Sequence, residues 1–362
     1  MASELSQIDT PAVSADSPLP PAPSPPSPEG DMLDLALDKN EYNFAHAPEV
    51  LAAVKEAFPH SLSRYAKASL ATFAERLAEG TGISIDLLKL THGGEDALLK
   101  TLLLLRPRFG RLVMPELSWH SYREMAAPLG YTIEETLVRE TPDGFVTDLS
   151  ALDAALSHGA EALVILGLPN NPTGHTIDPA ALEGLVERHP RHRFILDGVY
   201  NPLSNPYVRL VEDFPQAIYV GSFSKYYGLP GMRIGFMAGE ETRAIMFSLG
   251  LSPAGMRTCA AALFAHDHYD DNRRSALALA DALVDISTPN ACFFPSQASF
   301  ILMKPGAEIT EADYANAEAL TSVRPRYLTL RGERYLRWTL GDERAEKAIR
   351  AFVAALTAPR NV

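Results

Sequence analysis

The chain is short of cysteine, of basic residues and of long apolar runs, and each shortage removes a class of function. Its 362 residues include two cysteines, Cys259 and Cys292. That count argues against a disulfide framework, and no Cys/His spacing of the zinc-binding kind occurs. A reducing, cytoplasmic compartment is the expectation. Lys and Arg total 32 against 45 Asp and Glu, a formal net charge of −13. Such a surface repels phosphate backbones and anionic lipid, so neither nucleic acid nor a membrane is an expected partner. No apolar run approaches the ~20 residues needed to cross a bilayer. The N-terminus lacks the basic-then-apolar order of a secretory signal. Internal repeats are also absent.

What remains is the composition of an ordinary globular protein, with 46% apolar and 21% charged residues. The length exceeds what one hydrophobic core usually spans, which predicts two domains of unequal size. Residues 1–30 stand apart. Pro11, Pro18, Pro20, Pro21, Pro23, Pro25, Pro26 and Pro28 sit among Ser and Ala, and no Lys or Arg precedes Lys39. This stretch cannot bury enough apolar surface to offset its ordering entropy, so a disordered, polyproline-like tail is expected. The lack of arginine argues against an organelle transit peptide.

From Met32 the patterning changes. Helical spacing runs over Val50–Phe58, Thr72–Glu79 and Asp96–Leu105, the last ended by Arg106-Pro107. Strand-like apolar runs follow at Arg111–Met114, Leu163–Leu168, Phe194–Leu196, Ile218–Gly221 and Ile234–Ala238, with helical segments between them. This alternation predicts an α/β fold with a mainly parallel, doubly wound sheet. After Leu251 come an Ala-rich helix at Arg273–Leu283, strands at Ser299–Met303 and Tyr335–Thr339, and a helix at Glu343–Leu356. These read as a smaller α+β domain. The expected division is a tail at 1–30, a large domain at 55–251, and a small domain from 31–54 with 252–362.

Ligands in an open α/β sheet bind beyond the carboxyl ends of the strands. Three strand ends carry chemistry. The first leads into Pro169-Asn170-Asn171-Pro172-Thr173-Gly174. The second leads into Asp197 and Tyr200. The third leads into Ser222-Phe223-Ser224-Lys225 and then Gly228-Leu229-Pro230-Gly231-Met232-Arg233. Tyr335-Leu336-Arg337 before Trp338-Thr339-Leu340-Gly341 is a fourth distinctive stretch.

With these motifs the chain, from about Leu37 onward, resembles the fold-type I, class I/II aminotransferases, and most closely the histidinol-phosphate aminotransferase branch. The resemblance implies a pyridoxal 5'-phosphate cofactor held by Lys225 as a Schiff base. A lysine nucleophile needs a lowered pKa, which burial among cations favours. Once released by substrate, the amine can carry a proton at the reacting carbon.

The same resemblance assigns the remaining groups. Asp197 would keep the ring nitrogen protonated, and Asn171 and Tyr200 would bond the phenolic oxygen. Ser222, Ser224, Arg233 and the helix start at Gly93-Gly94-Glu95 would take the phosphate. Trp119 would stack on the ring. Arg337 would grip the substrate α-carboxylate, or the phosphate end as in some relatives, and Arg324, thirteen positions earlier, would add a second anion contact. Tyr65, in Arg64-Tyr65, would reach the neighbouring subunit's site, making a homodimer with shared sites.

Three features depart from the family pattern, and the first, in a stretch that lines the substrate entrance in relatives, bears on the substrate. Asn40-Glu41-Tyr42-Asn43 lacks the Asn-Pro usual after Asn-Glu, Gly198 stands where Glu is common, and Arg326, Tyr327 and Arg331 replace a neutral, Gly-rich turn. The implied reaction is amino transfer from histidinol phosphate or an aromatic amino acid to 2-oxoglutarate. A decarboxylase or lyase such as a threonine-phosphate decarboxylase shares most of these motifs. A purely binding, regulatory role ranks behind both, because residues 1–30 are too short for the winged-helix domain that such regulators carry.

Overall fold

The computed structural model describes residues 35–61, 65, 67–245 and 250–358. The Pro-rich stretch and Arg64 lie outside them. From Leu35 onward the chain is one compact unit built on two main sheets.

The strands, in chain order, are β1 (Leu88–Thr91), β2 (Arg111–Pro115), β3 (Thr132–Thr136), β4 (Val138–Thr141), β5 (Gly144–Thr147), β6 (Ala162–Gly167), β7 (Arg193–Asp197), β8 (Ala217–Ser222), β9 (Gly235–Ala238), β10 (Ala291–Phe294), β11 (Phe300–Pro305), β12 (Arg326–Leu330) and β13 (Glu333–Thr339). Seven form the larger sheet in the order β1-β9-β8-β7-β6-β2-β3. Neighbours from β3 to β8 pair in parallel, and only β9 runs against the rest. The mainly parallel α/β sheet read from the sequence is therefore present.

Burial explains why its strands read as unbroken apolar runs. Along β6, Leu163 and Ile165 join one apolar cluster, whereas Val164 and Leu166 join the other. Both faces are covered by helices, so no polar alternation is needed. The edge strand β3, Thr-Ile-Glu-Glu-Thr, carries no such signal and was not anticipated. Nor were β1, β12 or the β4–β5 hairpin.

The smaller sheet has the order β10-β11-β13-β12 and is antiparallel throughout. Its core includes Leu37, Phe44, Ile301, Leu336, Trp338 and Phe352. The larger core extends further along the chain than the expected boundaries. Ala47 and Val50, with Met256, Cys259 and Ala262 of the helix Pro253–Phe264, all belong to it. Helix Pro48–Ser61 packs on helix Pro253–Phe264, which draws both toward the large sheet. Two domains divided by core membership thus remain our proposal, with the division near Tyr269, whose ring still joins the larger core.

No helix among the described residues is long and apolar enough to cross a membrane.

Candidate active site

The carboxyl ends of β6, β7 and β8 open on a cavity of about 840 Å³. Short loops deliver the side chains. Gly167 ends β6, and the next turn carries two cis prolines, Pro169 and Pro172, around Asn170-Asn171. Asn170 fixes this loop by donating to the Leu117 carbonyl and to Thr173 Oγ1 at 2.8 and 2.7 Å. Beneath it, buried His175 bridges Thr173 and Thr147 at 2.7 and 2.8 Å. Burial holds His175 down to about 4, so the bridge is a neutral imidazole.

Asn171 then meets two other elements. Its Oδ1 accepts from Arg337 Nη1 at 2.6 Å, and its Nδ2 donates to the Tyr200 hydroxyl at 3.3 Å. The Tyr200 hydroxyl also accepts from Asn40 Nδ2 at 2.9 Å. Asp197, the last residue of β7, is buried. Its Oδ2 accepts from the Tyr122 hydroxyl at 2.6 Å and its Oδ1 from the Val199 N–H at 3.3 Å. Burial pushes its carboxyl up to about 6 against those two hydrogen bonds.

Lys225 lies three residues beyond Ser222, the last residue of β8, whose Oγ accepts the Ser224 N–H at 3.0 Å. The lysine Nζ donates to the carbonyls of Lys39 and Asn40 at 3.1 and 3.0 Å. Burial, helped by the charges of Arg337 and Arg233 and opposed by Glu41, brings its amine down to about 8. Arg337 is only 8% exposed. It donates to Asn171 and to the Asp38 carbonyl at 2.8 Å, its guanidinium stands 5.5 Å from the Phe300 ring centroid, and its Nε is buried with no partner. The segment Asp38–Asn40 therefore straps both cations through main-chain oxygens.

On the opposite wall, helix Gly94–Leu105 starts at the cavity. Its first-turn N–H groups have no intrahelical acceptor and form an anion-binding end. Gly93 has φ +90°, and a Cβ there would stand 3.1 Å from Arg233 Nη2. A Cβ at Gly94 would meet Val199 Cγ1 at 2.7 Å, and one at Gly235 would strike the Gly93 backbone. These glycines keep a main-chain cradle open beside Arg233. Trp119 stands edge-on to Tyr122 with ring centroids 5.5 Å apart.

The residues expected from the sequence therefore converge: Gly94, Glu95, Trp119, Asn171, Asp197, Tyr200, Ser222, Ser224, Lys225, Arg233 and Arg337 all line the one cavity. Two do not. Arg324 is a correction: its side chain is 75% exposed, 3.8 Å from Glu318, and does not line the cavity. The register of β12 on β13 places Arg326, two residues later, opposite Arg337 and at the cavity. Tyr65 is 92% exposed and lies outside the cavity of its own chain. Tyr122 and Asn40 were missed. Tyr122 follows Trp119 by three residues, and only its contact with Asp197 reveals it.

A buried carboxylate, a lysine with a lowered pKa, a cation beside a glycine cradle and a helix start make a donor set that fits a phosphorylated pyridine aldehyde. The sequence profile of the aminotransferase class I and II family matches residues 33–357. The chain belongs to that family. Its cofactor is pyridoxal 5'-phosphate, and it is a transaminase of the pyridoxal phosphate-dependent kind. Among curated relatives, histidinol-phosphate aminotransferase of Cereibacter sphaeroides is 29% identical over 326 residues, covering 85% of this chain and 87% of the relative. Among solved structures, the Sinorhizobium meliloti histidinol-phosphate aminotransferase in complex with pyridoxal-5'-phosphate superposes with a TM-score of 0.74 at 21% identity, covering 88% and 89% of the two chains. L-threonine-O-3-phosphate decarboxylase from Porphyromonas gingivalis gives 0.67 at 18%, covering 88% and 97%. Likenesses at that identity report the shared fold and do not separate transamination from decarboxylation.

Proposed function

We propose that this transaminase takes an amino donor with a second anionic or aromatic end, L-histidinol phosphate or an aromatic amino acid, and 2-oxoglutarate as acceptor. The carrying observation is the pair Arg326 and Arg337. They sit directly opposite on β12 and β13, and both reach the cavity. Like charges in that relation are destabilising. Arg326 lowers the proton affinity of Arg337, whose first cause of depression is burial. Neither guanidinium has an ion pair among the described residues. An anionic group between them would relieve both.

When bound, pyridoxal phosphate supplies an electron sink conjugated to the amino-bearing carbon. The chain's own residues would do the rest. Lys225 Nζ would hold the cofactor and then carry the proton. Asp197 would hold the ring nitrogen's proton, itself oriented by Tyr122. Asn171 and Tyr200 would bond the phenolic oxygen, Trp119 would cover the ring, and Ser222, Ser224, Arg233 and the Gly94-Glu95 amides would take the phosphate. Tyr65 would complete the site of a partner protomer in a cytoplasmic homodimer.

A scan of amino donors, histidinol phosphate and aromatic amino acids included, tests this by the visible absorbance of the bound cofactor. Conversion to the amino form of the cofactor with release of the oxo product is the expected result. Carbon dioxide released without an oxo acid would instead mark a decarboxylase.

A further inference from the structure

Strand β12 is the edge of the smaller sheet, hydrogen-bonded to β13 on one side only. Yet Arg326, Leu328, Thr329 and Leu330 line the cavity along its whole length. An edge strand held from one side is free to lean away, so its position needs a second anchor.

The turn after it supplies one. Arg331 and Gly332 both have positive φ, +50° and +82°. This two-residue turn favours Asn-Gly, and arginine in its first position is uncommon. From there Arg331 reaches across to the larger sheet. Its Nη2 donates to Glu116 Oε1 at 2.6 Å and its Nε to Oε2 at 3.4 Å. The same Nη2 also donates to the Val138 carbonyl.

Glu116 is a fixed post. It directly follows β2, and its N–H donates to the Thr136 carbonyl at 3.0 Å. Its carbonyl accepts from Arg123 Nη2 at 2.8 Å, and its Oε1 accepts the Val138 N–H at 3.0 Å. Burial alone would raise the Glu116 carboxyl, but the hydrogen bonds from Arg331 and Val138 hold it below its usual value. Leu328 and Leu330 pack against the apolar cluster that includes Leu117, Val138 and Tyr335. An isolated surface ion pair contributes little, but a two-pronged contact backed by a third acceptor restricts geometry.

We propose that Arg331 and Glu116 form a latch between the two sheets that sets the position of β12. Arg331 is thereby a positioning residue for the anion-bearing end of the substrate, acting through Arg326. This rests on the reading of Arg326 and Arg337 as an anion pair, and it does not depend on which donor is natural.

Two small carbonyl reagents test it on the holoenzyme. Aminooxyacetate carries a carboxylate, and methoxyamine carries none. Each forms an oxime with the bound cofactor's aldehyde carbon and releases the lysine amine, a change followed by absorbance. The readout is the ratio of their second-order rate constants. General loosening of the site moves both rates together and leaves the ratio alone. Arg331→Met and Glu116→Gln should each lower the ratio about tenfold, and the double variant should lower it no further. Arg331→Lys should fall between. Backbone amides of residues 326–332 should exchange faster with solvent deuterium in the same variants. An unchanged ratio in both single variants, or losses that add in the double variant, overturns the latch. If Arg326→Met leaves the ratio unchanged, the anion-pair reading has failed. If Arg326→Met lowers it while the latch variants do not, the latch alone has failed.

Discussion

At the scale of single residues, two groups are tuned in opposite senses by the same burial. The Lys225 amine is brought down to about 8, so its neutral, nucleophilic form accumulates at lower pH than in an ordinary lysine. Attachment of pyridoxal phosphate to the apoprotein should therefore speed up about tenfold per pH unit until about pH 8 and then level off. Stopped-flow absorbance checks this, with Lys225→Ala showing no covalent attachment at any pH. Asp197 is pushed up to about 6, so its carboxylate accumulates only above that point. Its pairing with a protonated ring nitrogen should fade in acid. The dissociation constant should be flat above pH 6 and rise about tenfold per unit below it. In Asp197→Asn that slope should vanish, and turnover should drop on the order of a hundredfold.

At the scale of elements, the helix start at Gly94 leaves little room. Gly94→Ala places a methyl 2.7 Å from Val199 Cγ1, so the helix start and Val199 must move apart and the phosphate cradle is disturbed. Weaker cofactor binding at unchanged secondary structure is the expected outcome, measured by equilibrium titration and far-ultraviolet circular dichroism. The same scale shows what the sequence made legible. The central strands were readable because burial on both faces leaves continuous apolar runs, and the residues just past them were readable because chemistry collects at those ends. The edge strands β3 and β12 were not. Half-exposed residues there leave no such run, so the register that brings Arg326, and not Arg324, opposite Arg337 could not be inferred. Tyr122 and Asn40 were equally hidden, since each acts through a partner more than 70 positions away in the chain.

At the scale of the whole molecule, the cavity lies between two sheets with separate cores, and one residue assigned to it does not reach it. Tyr65 is exposed in its own chain. If it serves a partner protomer, inactive variants should complement one another. Mixing Lys225→Ala with Tyr65→Ala protomers after reversible dissociation should restore about a quarter of wild-type activity, because half of the dimers carry one intact site of two. Activity no greater than the sum of the two parents would leave Tyr65 without that role.

The strap over Lys225 has a consequence of another kind. Three of its contacts, from Lys225 to Lys39 and Asn40 and from Arg337 to Asp38, end on peptide oxygens. Peptide oxygens are common to all residues, so side chains at 38 and 39 can drift during divergence without removing those acceptors. Asn40 is less free, because its own amide reaches Tyr200 and its φ is +54°. A tally of matching letters would therefore undervalue this stretch, whose contribution to the lysine's environment is written in chain path.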